Sequence, residues 1–178
     1  MDINLGRIFH ININVVDIDR SVSFYEGLGF KKLYDFELDP ETVRQTCAAF
    51  GSPPNPHRGV FMSLGDTPTA TILDLVQWYD PPTGGQVYPT LTNVGIPRMA
   101  FHVDNPMEVY EELMRRGTEF LGPIGGGSPP GGAPNQAVVF AFRDPDGNVL
   151  EVLSGVDYMA RPLAQESAAA GGGQIGQE

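Results

Sequence analysis

The sequence predicts an α+β fold built from two βαβββ modules, and two observations lead to this class. Each half of the chain begins with an alternation of apolar and polar residues, RIFHININVV and PRMAFHVD, followed by a segment with helical spacing. Each half then closes with strand-like segments: GVFMSLGD and ATILDLVQW in the first, AVVFAFRD and GNVLEVLS in the second. The repeated order of signals indicates an internal duplication.

In the first half, Asp17 or Asp19 is expected to cap a helix whose apolar side includes Val22, Tyr25 and Leu28. The segment FKKLYDFEL then predicts the next strand. DPETVRQTCAAFG favours an additional helix, and GSPPNPHRG favours a proline-rich loop.

In the second half, Asn105 followed by Pro106 is a favourable helix start, and Gly117 ends that helix. The segment GPIGGGSPPGGAPN predicts a loop, and DPDG between the closing strands predicts a hairpin. We therefore expect one domain over residues 1–160, with modules at about 7–80 and 96–155. A bridge at 81–95 joins them, and a disordered tail follows at 161–178.

Composition excludes several classes of partner. The formal charge is −11 at pH 7 and the two lysines are the adjacent Lys31 and Lys32, so the surface repels nucleic acid and anionic membranes. No apolar run approaches the roughly 20 residues that span a bilayer. The single cysteine, Cys47, excludes an internal disulfide framework and fits a cytoplasmic setting.

Four polar residues occupy matching positions in the two halves. His10 and His102 each follow a phenylalanine in an opening strand, while Asp74 and Glu151 each stand between two aliphatic residues in a closing strand. A histidine satisfied by a neighbour and an outward-facing acid are the structural alternatives. A carboxylate between aliphatics is costly unless it is paired, hydrogen-bonded or bound to a metal. Two imidazoles and two carboxylates suit Zn²⁺, Ni²⁺, Co²⁺, Mn²⁺ or Fe²⁺.

The segments FYEGLGF and FRDPDGNVLEVLS resemble the vicinal oxygen chelate superfamily. It includes glyoxalase I, methylmalonyl-CoA epimerase, extradiol dioxygenases, and fosfomycin and bleomycin resistance proteins. The resemblance covers about residues 7–155. It implies two βαβββ modules that pair into a curved, cup-like mixed sheet around one divalent metal ion. Many superfamily members are dimers, so a homodimer that binds a small-molecule substrate is expected.

Carried over residue by residue, His10, His102 and Glu151 match the metal-binding positions of the superfamily. Asp74 matches the fourth ligand, which is glutamate or glutamine in glyoxalase I and the epimerase. Aspartate is one methylene shorter, so direct ligation, ligation through water and a role beside the ligands stay open.

The resemblance implies a metal-dependent lyase or isomerase of the glyoxalase I and epimerase type. The metal would chelate two neighbouring substrate oxygens and stabilise an enolate, and Glu151 and Asp74 are the candidate proton carriers. The alternative is an Fe(II) extradiol-type dioxygenase acting on a catechol-like substrate, because two histidines and one carboxylate also form its ligand set. A small-molecule-binding resistance protein is the second alternative.

Four residues are candidate substrate contacts, with ordinary packing or an exposed loop position as their structural alternatives. They lie in or beside the long connections of the first half: His57, Arg58, Trp78 and Tyr88.

Overall fold

A computed structural model describes residues 8–65, 70–127 and 137–155. The predicted tail at 161–178 lies outside the described residues. These residues form three helices, α1 (Ile18–Gly27), α2 (Pro40–Ala49) and α3 (Pro106–Arg115), and the following eight strands: β1 (His10–Asn14), β2 (Lys31–Leu38), β3 (His57–Ser63), β4 (Ile72–Trp78), β5 (Arg98–His102), β6 (Gly125–Gly127), β7 (Ala137–Arg143) and β8 (Val149–Ser154). None of the described helices is long and apolar enough to cross a membrane.

The chain divides into two compact units. Unit 1 comprises Met1–Pro97 together with Asp144–Asn148, and unit 2 comprises Arg98–Arg143 and Val149–Glu178. Unit 1 contains a four-stranded sheet in the order β1-β4-β3-β2, called sheet 1, and unit 2 contains one in the order β5-β8-β7-β6, called sheet 2. In each sheet the opening strand runs parallel to the last strand and the other neighbours are antiparallel. The predicted α+β class with two βαβββ modules is confirmed.

Residues of β1 and β4 show which face of sheet 1 packs on α1. Ile13 and Leu75 point to one face and are 7% and 0% exposed. They pack with α1, where Ile18, Val22 and Tyr25 are buried, because these residues recur at helical spacing along one side. Asp17 caps α1, accepting a hydrogen bond from the backbone N–H of Arg20 at 3.0 Å. The opposite face of sheet 1 carries the polar residues of the alternation.

Sheet 2 buries one face in the same way. Phe140, Phe142, Leu150 and Val152 are at most 3% exposed, and α3 packs on β7 and β8 through Leu113. Asn105 is the N-cap of α3 as expected, although its side chain makes no capping hydrogen bond.

Two boundaries differ from the expectation. β3 begins at His57, inside the predicted proline-rich loop, because His57 and Arg58 pair with both β2 and β4. Gly125–Gly127, inside the predicted glycine-rich loop, forms β6 by backbone pairing with Ala137–Val139. Glycines carry no side-chain alternation, so this strand has no signal in the sequence.

Gly59 in β3 is covered by the ring of Phe36 on β2. A Cβ placed on Gly59 would lie 2.2 Å from the Cζ of Phe36, so any larger residue displaces the ring. We expect Gly59→Ala to lower the free energy of unfolding by about 1 to 2 kcal/mol, because of this overpacking. Urea unfolding measures the change. Gly122→Ala is the control, since its Cβ would meet nothing within 4 Å. A Gly59→Ala variant as stable as the wild type would contradict the placement of Phe36.

Candidate metal centre

His10 and Asp74 lie on the same face of sheet 1, opposite the face that packs on α1. β1 and β4 are parallel neighbours in which Asn12 stands opposite Asp74. Paired residues of neighbouring strands point to the same side, so His10, Asn12 and Asp74 share a face. The sequence predicts both side chains as ligands, and their common face follows from the pairing of β1 with β4.

The carboxylate of Asp74 is buried and only half satisfied. Asp74 is 6% exposed, and Asn12 Nδ2 donates a hydrogen bond to its Oδ2 at 2.8 Å. Oδ1 is buried and has no hydrogen-bond partner among the described residues. Burial raises the pKa of Asp74, an effect that the charge of nearby His10 and the Asn12 bond oppose. A buried carboxylate oxygen without a donor is a costly arrangement unless a cation binds it.

His10 has the same incomplete environment. Its Nδ1 is buried without a hydrogen-bond partner in the described part of the chain. The ring packs against Phe61, with centroids 5.7 Å apart, and against Phe9 at 5.0 Å, so its position is fixed by aromatic contacts. An imidazole nitrogen and a carboxylate oxygen that both lack partners on one sheet face fit a borderline divalent cation.

Sheet 2 carries the second histidine and carboxylate. Ala100 stands opposite Glu151, and His102 opposite Leu153, so His102 and Glu151 share one face. The Glu151 side chain is 15% exposed, and Arg98 Nε donates a hydrogen bond to its Oε2. His102 is exposed. Each unit thus carries one of the predicted histidine ligands and one of the predicted carboxylate ligands on one sheet face.

A complete metal cluster is not found within the described residues: no three His, Cys, Asp or Glu side chains there form a group that could hold a metal. Each unit supplies only two of the four predicted ligands, so neither alone would make such a group. Ligation by all four side chains stays a prediction.

His57 and Trp78, two of the candidate substrate contacts, are brought together. They face each other at the ends of β3 and β4, with ring centroids 4.5 Å apart, on the same face as Asp74. Trp78 Nε1 donates to Asn14 Oδ1 at 2.8 Å. Beside them lies a cleft of about 380 Å³ lined by Asn14, Ser52, Pro53, Asn55, Trp78, Pro81, Pro82, Thr83 and Gly84. The cleft is large enough for a small molecule.

Arg58 and Tyr88, the other two candidates, have different surroundings. Arg58 follows His57 in β3 and therefore points to the opposite face, where it pairs with Asp35 and Asp19 at 2.9 Å. Its guanidinium is engaged by these two carboxylates. Tyr88 lies between β4 and β5, where its hydroxyl occupies the space that a Cβ on Gly95 would need.

The Arg58–Asp35 pair gives a pH-dependent contribution to stability. The hydrogen bond from Arg58 lowers the pKa of Asp35 from its ordinary value of 3.8, so the pair stabilises the fold above that value. The contribution is lost as the pH falls through the lower pKa of the folded state. We expect Arg58→Met to lower the free energy of unfolding by at most about 1 kcal/mol at neutral pH, since Asp35 is partly exposed.

Urea unfolding at a series of pH values measures this effect. The difference between wild type and Arg58→Met should shrink as the pH is lowered below about 4. Arg44→Met, which removes an arginine from an exposed pair with Glu41, controls for the loss of one positive charge. A difference that grows with acid would contradict the assignment.

The segment Asp144–Asn148 contains a buried carboxylate with a full set of donors. Asp144 is 4% exposed. Its Oδ2 accepts hydrogen bonds from the Tyr25 hydroxyl at 2.9 Å and Asn148 Nδ2 at 2.8 Å. Its Oδ1 accepts from the backbone N–H groups of Asp146 at 3.0 Å and Asn148 at 2.8 Å. Burial and the charge of Asp144 together raise the pKa of Tyr25, which keeps this phenol neutral and donating.

Asp146 binds the start of α1. Its carboxylate accepts from the backbone N–H of Val16 at 3.1 Å, Arg20 Nη2 at 2.8 Å and Ser21 Oγ at 3.0 Å. A carboxylate at this end of a helix also meets the positive end of the helix dipole. The DPDG turn predicted from the sequence therefore fixes α1 as well as joining β7 to β8.

Sequence reasoning missed two residues of the candidate site, Asn12 and Arg98, as partners of the carboxylates. Asn12 follows His10 by two residues and Arg98 precedes His102 by four, so each lies on the same face of its strand as a predicted ligand. This even spacing is the one signal in the sequence that could have identified them. Their partners depend on strand register, which the alternation does not define.

The comparisons with known proteins agree with this architecture. The family model of the Glyoxalase/Bleomycin resistance protein/Dioxygenase superfamily matches residues 7–152. No curated protein gives a significant match.

Several solved structures share the fold. A glyoxalase family protein from Bacillus cereus superposes with a TM-score of 0.71 at 19% identity, covering 86% of this chain and 97% of the other. The trypanothione-dependent glyoxalase I of Leishmania major gives a TM-score of 0.58 at 22% identity, covering 93% and 94%. A glyoxalase I mutant from Zea mays gives 0.60 at 20% identity, covering 85% of this chain and 46% of that one.

These structural similarities show a shared fold. The family match is a match of sequence, and it includes all four predicted metal ligands. His10, Asp74, His102 and Glu151 lie within the matched range. The chain belongs to the Glyoxalase/Bleomycin resistance protein/Dioxygenase superfamily.

Proposed function

We propose that this chain is a metal-dependent lyase or isomerase of the glyoxalase I and epimerase type, in which His10, Asp74, His102 and Glu151 hold one divalent cation. The observation that supports this most is the pair of buried atoms without hydrogen-bond partners, Asp74 Oδ1 and His10 Nδ1, on one face of sheet 1. A cation would satisfy both. The superfamily membership and the glyoxalase I likenesses support the same choice.

When bound, the metal supplies Lewis-acid stabilisation of the negative charge that forms as a proton leaves the carbon next to a carbonyl. The substrate would bind through two neighbouring oxygens. Asp74 and Glu151 are the proposed proton carriers, since each presents a carboxylate on the same face as a histidine ligand.

The remaining parts of the proposal concern the surroundings. His57 and Trp78, next to the cleft, would contact a small-molecule substrate. Arg58 is left out of this set because Asp19 and Asp35 engage it. We further propose a cytoplasmic homodimer.

The test combines metal analysis with a proton-exchange assay. The full chain is equilibrated separately with Zn²⁺, Ni²⁺, Co²⁺, Mn²⁺ and Fe²⁺, and bound metal is measured by elemental analysis after removal of the free ion. Metal-loaded protein is then incubated in D₂O with α-hydroxy carbonyl compounds and thioesters. We expect about one metal per chain and metal-dependent deuterium incorporation next to the carbonyl. A chain that binds none of these metals would overturn the proposal.

An Fe(II)-dependent extradiol-type dioxygenase is the second candidate. It needs two histidines and one carboxylate, which His10, His102 and Glu151 would supply without Asp74. Oxygen uptake by the Fe²⁺-loaded chain with catechols decides between the two. Uptake without deuterium exchange would select the dioxygenase, whereas exchange without uptake would select the lyase or isomerase.

A further inference from the structure

We propose that Arg98 is a positioning residue that holds the Glu151 carboxylate in the orientation in which it binds the metal. This inference rests on the proposed function, because it concerns one of the four proposed ligands. The observation behind it is the hydrogen-bonded ion pair in sheet 2, in which Arg98 Nε donates to Glu151 Oε2.

The register of β5 and β8 explains why these two side chains meet. The strands are parallel and Ala100 stands opposite Glu151. Arg98 lies two residues before Ala100 and His102 two residues after it, so all of them point to the same face. Along β5, Glu151 is therefore flanked by a guanidinium on one side and the proposed histidine ligand on the other.

The geometry of the ion pair leaves one carboxylate oxygen of Glu151 able to bind a metal ion. Arg98 uses Nε on Oε2, and no hydrogen bond to Oε1 is found among the described residues. A guanidinium is planar and its donors have fixed directions, so the bond restricts the rotation of the carboxylate. Glutamate otherwise loses substantial rotamer freedom when it binds, and a partner that removes this freedom beforehand strengthens metal binding.

Burial explains why Glu151 requires a partner. The Glu151 side chain is 15% exposed whereas that of Arg98 is 46% exposed, so the arginine neutralises a carboxylate that has lost most of its water. Sheet 1 contains an analogous contact, in which the side chain of Asn12 on β1 donates a hydrogen bond to Asp74 on β4. In each sheet the carboxylate of the last strand is thus oriented by a donor from the opening strand.

The experiment compares metal affinity in the full-length wild type, Arg98→Met and Arg98→Lys. Zn²⁺ and Co²⁺ affinities are measured by competition with a chromophoric chelator, and the Co²⁺ absorption spectrum is recorded. We expect Arg98→Met to weaken binding by about 10- to 100-fold and to alter the Co²⁺ spectrum, as loss of a partner that orients a ligand does. Arg98→Lys should recover part of the affinity, because lysine keeps the positive charge and can donate a hydrogen bond to Glu151.

Two controls separate positioning from general stability. Arg115→Met removes the arginine of an exposed pair with Glu112 on α3 and should leave metal affinity at the wild-type value. The unfolding midpoint of metal-free Arg98→Met should lie within about 4 °C of the wild type, because the pair is partly exposed. Affinity that is unchanged or higher in Arg98→Met overturns the role of Arg98, while a wild-type chain that binds no metal overturns the proposed function as well.

Discussion

Replacement of His102 by alanine is expected to weaken binding of a divalent metal by more than about 100-fold, because loss of a direct ligand costs more than loss of an orienting partner. His102 is exposed, so the substitution removes a donor atom without opening a cavity in the core. The loss of affinity should therefore come with an unchanged fold. Chelator competition measures the affinity, and circular dichroism checks the fold.

The chain has three histidines, and the third provides the control. His57 is half-buried against Trp78 and is not among the four proposed ligands. His57→Ala should retain metal at the wild-type stoichiometry. If His102→Ala kept the wild-type affinity, or if His57→Ala lost it, the proposed ligand set would be wrong.

Replacement of Asp144 by alanine is expected to lower the free energy of unfolding by about 3 to 5 kcal/mol, since each of four buried hydrogen bonds contributes roughly 1 kcal/mol. The donors left behind are the hydroxyl of Tyr25, which is fully buried, the Asn148 amide and two backbone N–H groups. Chemical denaturation followed by fluorescence and circular dichroism measures the change.

Tyr25→Phe divides this effect. It removes one of the four donors to Asp144 and keeps the ring, so we expect a loss of about 1 kcal/mol. Tyr110→Phe is the matched control, because Tyr110 packs its ring on Phe120 and Phe140 and no hydrogen bond of its hydroxyl is found among the described residues. Equal stability of Tyr25→Phe and Tyr110→Phe would refute the importance of the buried bond.

Part of the fold could be predicted because β1 and β5 lie where apolar and polar residues alternate. β4 and β8 lie in segments rich in aliphatic residues, and Asp17 and Pro106 mark the starts of α1 and α3. β6 could not be predicted, since three glycines form a strand only through the backbone of β7. The start of β3 at His57 could not be predicted either, because the prolines just before it favour a loop.

The candidate site follows the same division. The matching positions of His10, Asp74, His102 and Glu151 in the two halves could be recognised in the sequence, whereas the sheet face that each pair shares follows from strand pairing. The orienting partners Asn12 and Arg98 could not be predicted. Which residue stands opposite a carboxylate is a property of strand pairing, and pairing is set by the whole sheet rather than by the local sequence.

Unit 1 includes the segment Asp144–Asn148, which is synthesised long after the rest of the unit. Tyr25 and its acceptor Asp144 are 119 positions apart, and Arg20 and Asp146 are 126 apart. During synthesis from the N-terminus, sheet 1 and α1 therefore emerge long before the carboxylates that fix them. The first module would leave the ribosome without these hydrogen bonds, which can form only after the segment Asp144–Asn148 has also emerged.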